Sequence, residues 1–363
     1  MREHWQRRPC VVRAAFPHDF ATIEAKTLIR LAARDDVESR LVTHFGGNWR
    51  LRHGPLPIPA LPIRRRRDWT LLVQGLDLVD PGVHQLLQKF RFIADARLDD
   101  VMASFAVDGG GVGPHVDSYD VFLLQAKGRR RWRISRQRDT TTIDGAPLRL
   151  LKDFQPTREW TLDAGDMLYL PPGVAHEGVA IGDCITLSIG FRTPRWPQLA
   201  EPWFERVLER LQAHPGYRDA GARPTASPAR LPRGLIDSAA AALARARTTR
   251  ADAVHALLAV LTEPKPIVAF RAAPRPASLR EFGRRLAAQG VELDPRTRLL
   301  YSGELAAING DMVPMPAAIA AALRRLADRH RLAGDGKAVR PEMIALLYPW
   351  YRSGWLHLLP PRR

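Results

Sequence analysis

Between residues 101 and 193 the chain repeats one rhythm six times. The short apolar runs VMASFAV, DVFLLQA, RRWRIS, EWTLDA, DMLYLP and CITLSIGF follow one another closely, with glycine, proline and aspartate between them. Runs of this length suit strands, and turn formers at this spacing suit an antiparallel sandwich or small barrel. Before them, EAKTLIRLAARDD has helical spacing and WTLLVQGLDLV begins as a strand. From Pro194 onward helix formers dominate, in PWFERVLERLQ and IDSAAAALARARTTRADAVHALLAVL, with a polar stretch from Gly216 to Gly234 between them. After PKP at 264–266 come a helix (SLREFGRRLAAQG), a hairpin (RLLYSGELAAINGDMVPMP) turned by Asn309-Gly310, and further helices. That order suggests a winged-helix-like module at the C-terminal end of a mixed α and β chain.

Length and composition narrow the possibilities. A chain of 363 residues, 45% hydrophobic, is long enough for two or three domains. It has no apolar run of membrane-spanning length, and MREHWQRRPCVVRAAF lacks the apolar centre of a signal peptide, so a cytoplasmic location is expected. The two cysteines, Cys10 and Cys184, form no CxxC pair, which excludes a thiolate zinc site. Cys184, inside DCITLSIGF, is expected to be a small core residue. A net charge of +17 attracts polyanions and suggests contact with RNA. The run Arg64–Arg67 in the proline-rich loop GPLPIPALPIRRRRDW is either a solvated loop or a grip on phosphate.

The residues that carry chemistry are framed by glycines. In GGGVGPHVDSYDVF, His115 and Asp117 stand two apart and face one side if that segment is extended. A lone His-x-Asp is weak evidence, but GDMLYLPPGVAH supplies a partner, His176. The spacing from Gly165 through Pro171 and Gly173 to His176 resembles the second metal motif of the cupin superfamily. The spacing from Gly109 to His115 and Asp117, with Gly128 closing the next strand, resembles the first. Asp117 stands where many cupins have histidine. Two imidazoles and a carboxylate leave three positions open, as in non-haem Fe(II) oxygenases, although a zinc hydrolase uses the same donors. The bland alternative is a pair of sheet-edge histidines satisfied by backbone.

Alternation along RRRWRIS puts Arg130, Trp132 and Ile134 on one face, the apolar one. A buried arginine needs an anion, either an internal carboxylate or the distal carboxylate of a 2-oxo acid such as 2-oxoglutarate. Thr186 and Ser188, alternating on CITLSIGF, could add a hydroxyl donor.

With these residues in view, the chain resembles the bacterial JmjC-type ribosomal oxygenases, in particular those that hydroxylate an arginine of large-subunit ribosomal protein L-sixteen. LDDVMASFAVDGGGVGPHVDSYDVFLLQAKGRRRWRI, DMLYLPPGVAHEG and SIGFR carry the resemblance, with weaker support from HWQRRP, DVESRLVTH, WTLLVQ and LLYPWYRSGWL. The resemblance implies a double-stranded β-helix (cupin/JmjC jelly roll) core over 1–195. A helical dimerisation region over 196–263 and a winged-helix-like domain over 264–363 would follow. It implies Fe(II) on His115, Asp117 and His176, 2-oxoglutarate on Arg130 with Ser188, dioxygen as co-substrate, a ribosomal protein as substrate, and a homodimer. A substrate arginine would need acidic or aromatic partners, for which Asp108, Tyr119, Asp120 and Glu177 stand beside the ligands. The rival functions are a DNA-binding regulator without turnover and a hydroxylase of histidine or of a small molecule.

Overall fold

Two glycines decide the architecture. Gly128 and Gly182 adopt φ of +65° and +69°, and each lies inside a strand of unusual length. The computed structural model describes residues 1–17, 20, 23–212, 216–218, 220, 229–245 and 248–361. Its contacts separate into two units, Met1–Thr193 with Pro266–Ala269, and Pro194–Lys265 with Phe270–Arg363.

The first unit contains β1 (Cys10–Val12), α1 (Ala25–Ala32), β2 (Ser39–Phe45), β3 (Asn48–His53), β4 (Trp69–Val73) and α2 (Pro81–Gln88). Then come β5 (Leu98–Ala106), β6 (His115–Val116), β7 (Asp120–Ser135), β8 (Arg158–Leu162), β9 (Met167–Leu170) and β10 (Ala175–Phe191). The segments DVFLLQA and RRWRIS, read above as two strands, are one. Gly128 does not close the first of them; it bends β7 while the ladder with β10 continues on either side. The register passes from Ile181 opposite Arg129 to Ile185 opposite Lys127, so the bulge on β10 absorbs the bend.

That bend lets one hydrogen-bonded set of strands form two sheets. Beyond it, β8, Arg129–Ser135 of β7, Ala175–Ile181 of β10 and β6 lie side by side. Before it, the order runs β1, β9, β7, β10, β5, β4, β2, β3. Side chains from both sheets share one apolar cluster. Val121 and Leu123 come from the larger sheet, Trp132, Ile134 and Leu162 from the smaller. This is the double-stranded β-helix, with burial of the shared face as its main driving force. The opposite face of the larger sheet is covered by α1 and α2, whose Leu28, Leu31, Val83, Leu86 and Leu87 pack with Phe105, Phe122 and Ile189. Asp80 caps α2 by accepting from the Val83 amide at 3.0 Å.

The second unit holds α3 (Ala200–Gln212), α4 (Arg233–Arg245), α5 (Arg250–Thr262), α6 (Leu279–Ala288), β11 (Gly290–Leu293), β12 (Leu299–Ser302), β13 (Leu305–Ile308) and β14 (Asp311–Pro314). It ends with α7 (Ala317–Arg329), β15 (Arg331–Ala333), α8 (Pro341–Arg352) and β16 (Leu356–Leu358). Most of the polar stretch between α3 and α4 lies outside the described residues. The expected single hairpin is a three-stranded meander, because Gly303 makes a second turn ahead of Asn309-Gly310. Phe282, Leu286, Val291, Ile308, Leu323 and Leu347 anchor its core.

Within this unit, Thr249 and Asp252 cap α5 reciprocally, and buried Asp252 also accepts from Arg210 of α3 at 2.7 Å. The Arg210 hydrogen bond outweighs burial and, with the Thr249 groups, holds the Asp252 carboxyl well below the usual range. A depressed carboxyl stabilises the fold fully above the ordinary aspartate value of about 4 and loses that effect as pH falls below it. The thermal stability gap between the wild type and Asp252→Asn should therefore be widest near neutrality and shrink below about pH 4, as followed by circular dichroism.

At the bend, a Cβ on Gly128 would collide with the Asp183 carbonyl, whereas one on Gly182 would meet nothing within 4 Å. Gly182→Ala should cost about 1 kcal/mol from the left-handed backbone alone, and Gly128→Ala about 3 kcal/mol or more, measured by urea unfolding.

Candidate active site

His176 begins the ladder that organises the smaller sheet. On one side it is paired with His115 of β6, on the other with Ile134 of β7. Residues directly opposite in an antiparallel pair point to the same face, so the two imidazoles meet, with ring centroids 4.2 Å apart. β6 ends at Val116, yet Asp117 still turns its carboxylate to the same point. Its Oδ2 lies 3.9 Å from His115 Nε2 and 3.6 Å from His176 Nε2. All three donor atoms lie within 4.8 Å of one another. The Asp117 carbonyl accepts from the Gly173 amide at 2.9 Å, which ties the first motif to the turn of the second.

The rest of each ring is committed in the same way. His115 Nδ1 is 3.0 Å from the Gly113 carbonyl, and His176 Nδ1 is 3.0 Å from the Val174 carbonyl. A carbonyl can only accept, so each Nδ1 carries the proton and each Nε2 offers its lone pair to the shared point. Gly113 reaches this position with φ of +76°, where a Cβ would press on Leu150 and Trp49. Burial and the neighbouring His115 push His176 down to about 3, keeping it neutral and able to donate to a metal. Burial raises the Asp117 carboxyl against the opposing pull of His115 and Tyr119. A divalent cation would reverse that cost by compensating the charge. Two neutral imidazoles and one carboxylate fit a first-row divalent ion with open positions.

Arg130 lies on the same inner face, four residues along β7 from Ile134. It is 4% exposed. Its Nη1 donates to Ser104 Oγ of β5 at 2.8 Å, bridging the two sheets, while Nε and Nη2 have no partner among the described residues. Among the described residues no carboxylate pairs with it, so the internal salt bridge allowed by the sequence is not found there. Its guanidinium sits 5.7 Å from the Trp132 ring centroid. A buried cation left this way is costly unless an anion enters. Thr186 donates to Gln125 Oε1 at 2.9 Å. Ser188, half-buried, follows on the same face, opposite Met102 and Leu123.

The other nominated residues divide clearly. Tyr119 lies at the rim beside Asp117. Burial first, then the charges of Asp117, Asp100 and Asp99, raise its hydroxyl well above the usual tyrosine value, so it remains a donor. Asp108 is not brought to this cluster. It pairs with Arg67 at 2.6 Å and accepts from the Gly182 amide at 2.9 Å, beside the bulge six residues along β10 from His176. Glu177 has the opposite parity to His176 and binds Arg133 on the outer face. Asp120 is fully buried and accepts from Tyr169 at 2.6 Å, Gln6 at 3.0 Å and Arg97 at 3.1 Å, pinning the N-terminal segment to the sheet. The sequence reading passed over Ser104, Asp99 and Asp100. A lone serine inside the apolar run VMASFAV was the available signal for Ser104.

A double-stranded β-helix holding two histidines and a carboxylate at one end defines a cupin-type metalloprotein, here of the JmjC class. Residues 85–199 match the JmjC domain and residues 243–357 match the ROXA-like winged helix. The ribosomal protein uL16 3-hydroxylase of Escherichia coli is 38% identical over 230 residues, 63% of this chain and 61% of that protein. A probable ribosomal oxygenase of Haemophilus influenzae is 38% identical over 209 residues, 55% of this chain and 50% of that protein. In sequence, then, the match spans less than two thirds of these relatives' own lengths. The structure of YcfD, a ribosomal oxygenase from Escherichia coli, in complex with cobalt and 2-oxoglutarate superposes with a TM-score of 0.82 at 30% identity, covering 98% of this chain and 96% of that one. The chain belongs to the JmjC ribosomal oxygenases.

Removing one donor should cripple metal capture even without turnover. Titrating Co(II) into the protein by calorimetry should give binding at least about 100-fold weaker for Asp117→Ala or His176→Ala than for wild type.

Proposed function

We propose that this protein is an Fe(II)- and 2-oxoglutarate-dependent dioxygenase that hydroxylates a ribosomal protein, on an arginine side chain of large-subunit protein uL16. The carrying observation is Arg130, a buried guanidinium with two unpartnered nitrogens on the inner face that also bears His176. Four register positions separate them along the strand, about 13 Å of backbone. An arginine side chain and a five-carbon diacid can together span that gap, with one carboxylate on Arg130 and the 2-oxo end at the metal. The cobalt and 2-oxoglutarate bound to YcfD support the same cofactor set.

His115, Asp117 and His176 would hold Fe(II) with sites left for 2-oxoglutarate and dioxygen. Bound there, the iron would let dioxygen act as the oxidant, one oxygen atom entering 2-oxoglutarate as it loses carbon dioxide to give succinate and the other entering a substrate C–H bond. The protein's own part is placement. Arg130 and Ser104 fix the distal carboxylate, and Ser188, on the same face, offers a further hydroxyl. Trp132 and its apolar neighbours keep water from the face beside His176. Tyr119 and Asp117 frame the mouth, and Asp99 and Asp100 bring acidic charge near it, which suits a guanidinium entering from outside.

The further assignments follow the same reading. Phe204 and Leu208 on α3 and Ile236 and Leu243 on α4 are exposed, which suits a homodimer formed through the helical region 196–263. No described helix is long and apolar enough to cross a membrane. A ribosomal substrate suits a cytoplasmic site of action, and the charge of +17 suits contact with RNA.

The experiment is mass spectrometry of a uL16 fragment incubated with protein, Fe(II) and 2-oxoglutarate. The expected outcome is a gain of about 16 mass units on one arginine, absent with His115→Ala. Arg130→Ala should raise the KM for 2-oxoglutarate by about 30-fold, for loss of a buried charge pair worth roughly 2 kcal/mol, while leaving Co(II) binding intact. Consumption of 2-oxoglutarate without any modified arginine would overturn the substrate assignment.

A further inference from the structure

The basic surface has a definite shape away from the metal. Strands β2 and β3 and the proline-rich loop enclose an open groove of about 570 Å³, lined by Phe45, Trp49, Arg50, Arg52, Arg66 and Pro147 among others. No acidic side chain lines it among the described residues. β3 forms the edge of the larger sheet. Residues 48–68 contain six arginines against a single acid, Asp68.

The structure sorts those arginines. Arg64 and Arg67 are occupied by Asp183 and Asp108, so half of the Arg64–Arg67 run is spent within the protein. Arg66 is different: its guanidinium lies 3.5 Å from the centre of the Phe45 ring, which stacks it while leaving the residue exposed. Arg52 is steadied by the Ala60 carbonyl at 3.0 Å, and Arg50 is exposed. One exposed cation is thus held over an aromatic ring, with two more along the same edge.

We infer that this groove binds single-stranded RNA, with Arg50 and Arg52 on phosphates and a base stacked on the Arg66 guanidinium. The charge selects a polyanion, and the supported planar guanidinium selects one with flat bases over an acidic peptide. Trp49, stacked on His44, turns its ring to the opposite face of β3 from Arg50 and Arg52 and packs there beside Gly113. Bound RNA would offset the repulsion between this basic protein and an arginine-bearing ribosomal segment. That purpose rests on the hydroxylase reading; the binding itself does not, and it is measured without turnover.

The test is fluorescence anisotropy of a labelled 12-nucleotide single-stranded RNA with the full chain. Two phosphate contacts, from Arg50 and Arg52, predict binding about 7-fold weaker at 200 mM than at 50 mM salt. The triple variant R50E/R52E/R66E should lose at least tenfold in affinity while keeping its thermal midpoint and its Co(II) binding. The comparison variant R280E/R325E/R352E, with the same change in net charge on the second unit, should lose less than threefold. Should the charge-reversed groove fold poorly, R50Q/R52Q/R66Q against R280Q/R325Q/R352Q supplies the same comparison. Equal losses in groove and comparison variants, an unchanged affinity in the groove variant, or polyglutamate competing as well as unlabelled RNA would each overturn the proposal.

Discussion

The antiparallel ladder between β7 and β10 is the constraint on which the molecule depends. It brings His176 opposite Ile134, Ala180 opposite Arg130, and Thr186 opposite Gln125. It survives the change of sheet only because Gly128 and Gly182 take left-handed conformations at the bend. With a straight ladder the smaller sheet would not fold over the larger one. Arg130 would then not reach Ser104, and the shared cluster of Val121, Leu123, Trp132 and Leu162 would be open to water. One run of backbone pairing thus sets both the core and the spacing between the His115–Asp117–His176 cluster and the buried Arg130.

The interior so formed is polar in a selective way. The two histidines are locked in one tautomer by backbone carbonyls, and His176 is kept neutral by burial. Asp117 bears a burial cost that a divalent ion would relieve. Arg130 bears one that an anionic ligand would relieve. The two groups have opposite sign, and the proposed metal and dicarboxylate would each offset the burial of one of them. Other polar groups in this region are paired internally, among them Thr186 with Gln125 and Asp120 with Tyr169, Gln6 and Arg97.

Local spacing made the metal cluster legible. His115 and Asp117 are two apart, His176 follows a Pro-Pro-Gly turn, and glycines frame both; these are short-range features that backbone geometry must respect. The parity of RRRWRIS likewise put Arg130 on the buried face. Nearness in sequence misled for the residues beside them. Asp120 is three positions from Asp117 but points to the opposite face, into the aromatic cluster of Trp5, Phe122 and Tyr169. Glu177 adjoins His176 and for that reason faces away from it. Asp108 is drawn to the bulge by a free amide at Gly182. The Arg64–Arg67 run looked uniform, and it split because two acids from distant segments captured two of its members.

By itself, the sequence determined the strand-rich middle, the helical and winged-helix-like remainder, the three clustered candidate metal donors and the buried arginine, since each follows from periodicity or spacing over a few residues. Only the tertiary structure decided that β7 is one bent strand, that Ser104 partners Arg130 in place of any acid, that Asp99 and Asp100 stand near Tyr119, and which arginines stay unpaired at the surface. Those outcomes depend on which segments become neighbours across the fold. Cross-strand register and capture by distant charges leave no periodic trace along the chain.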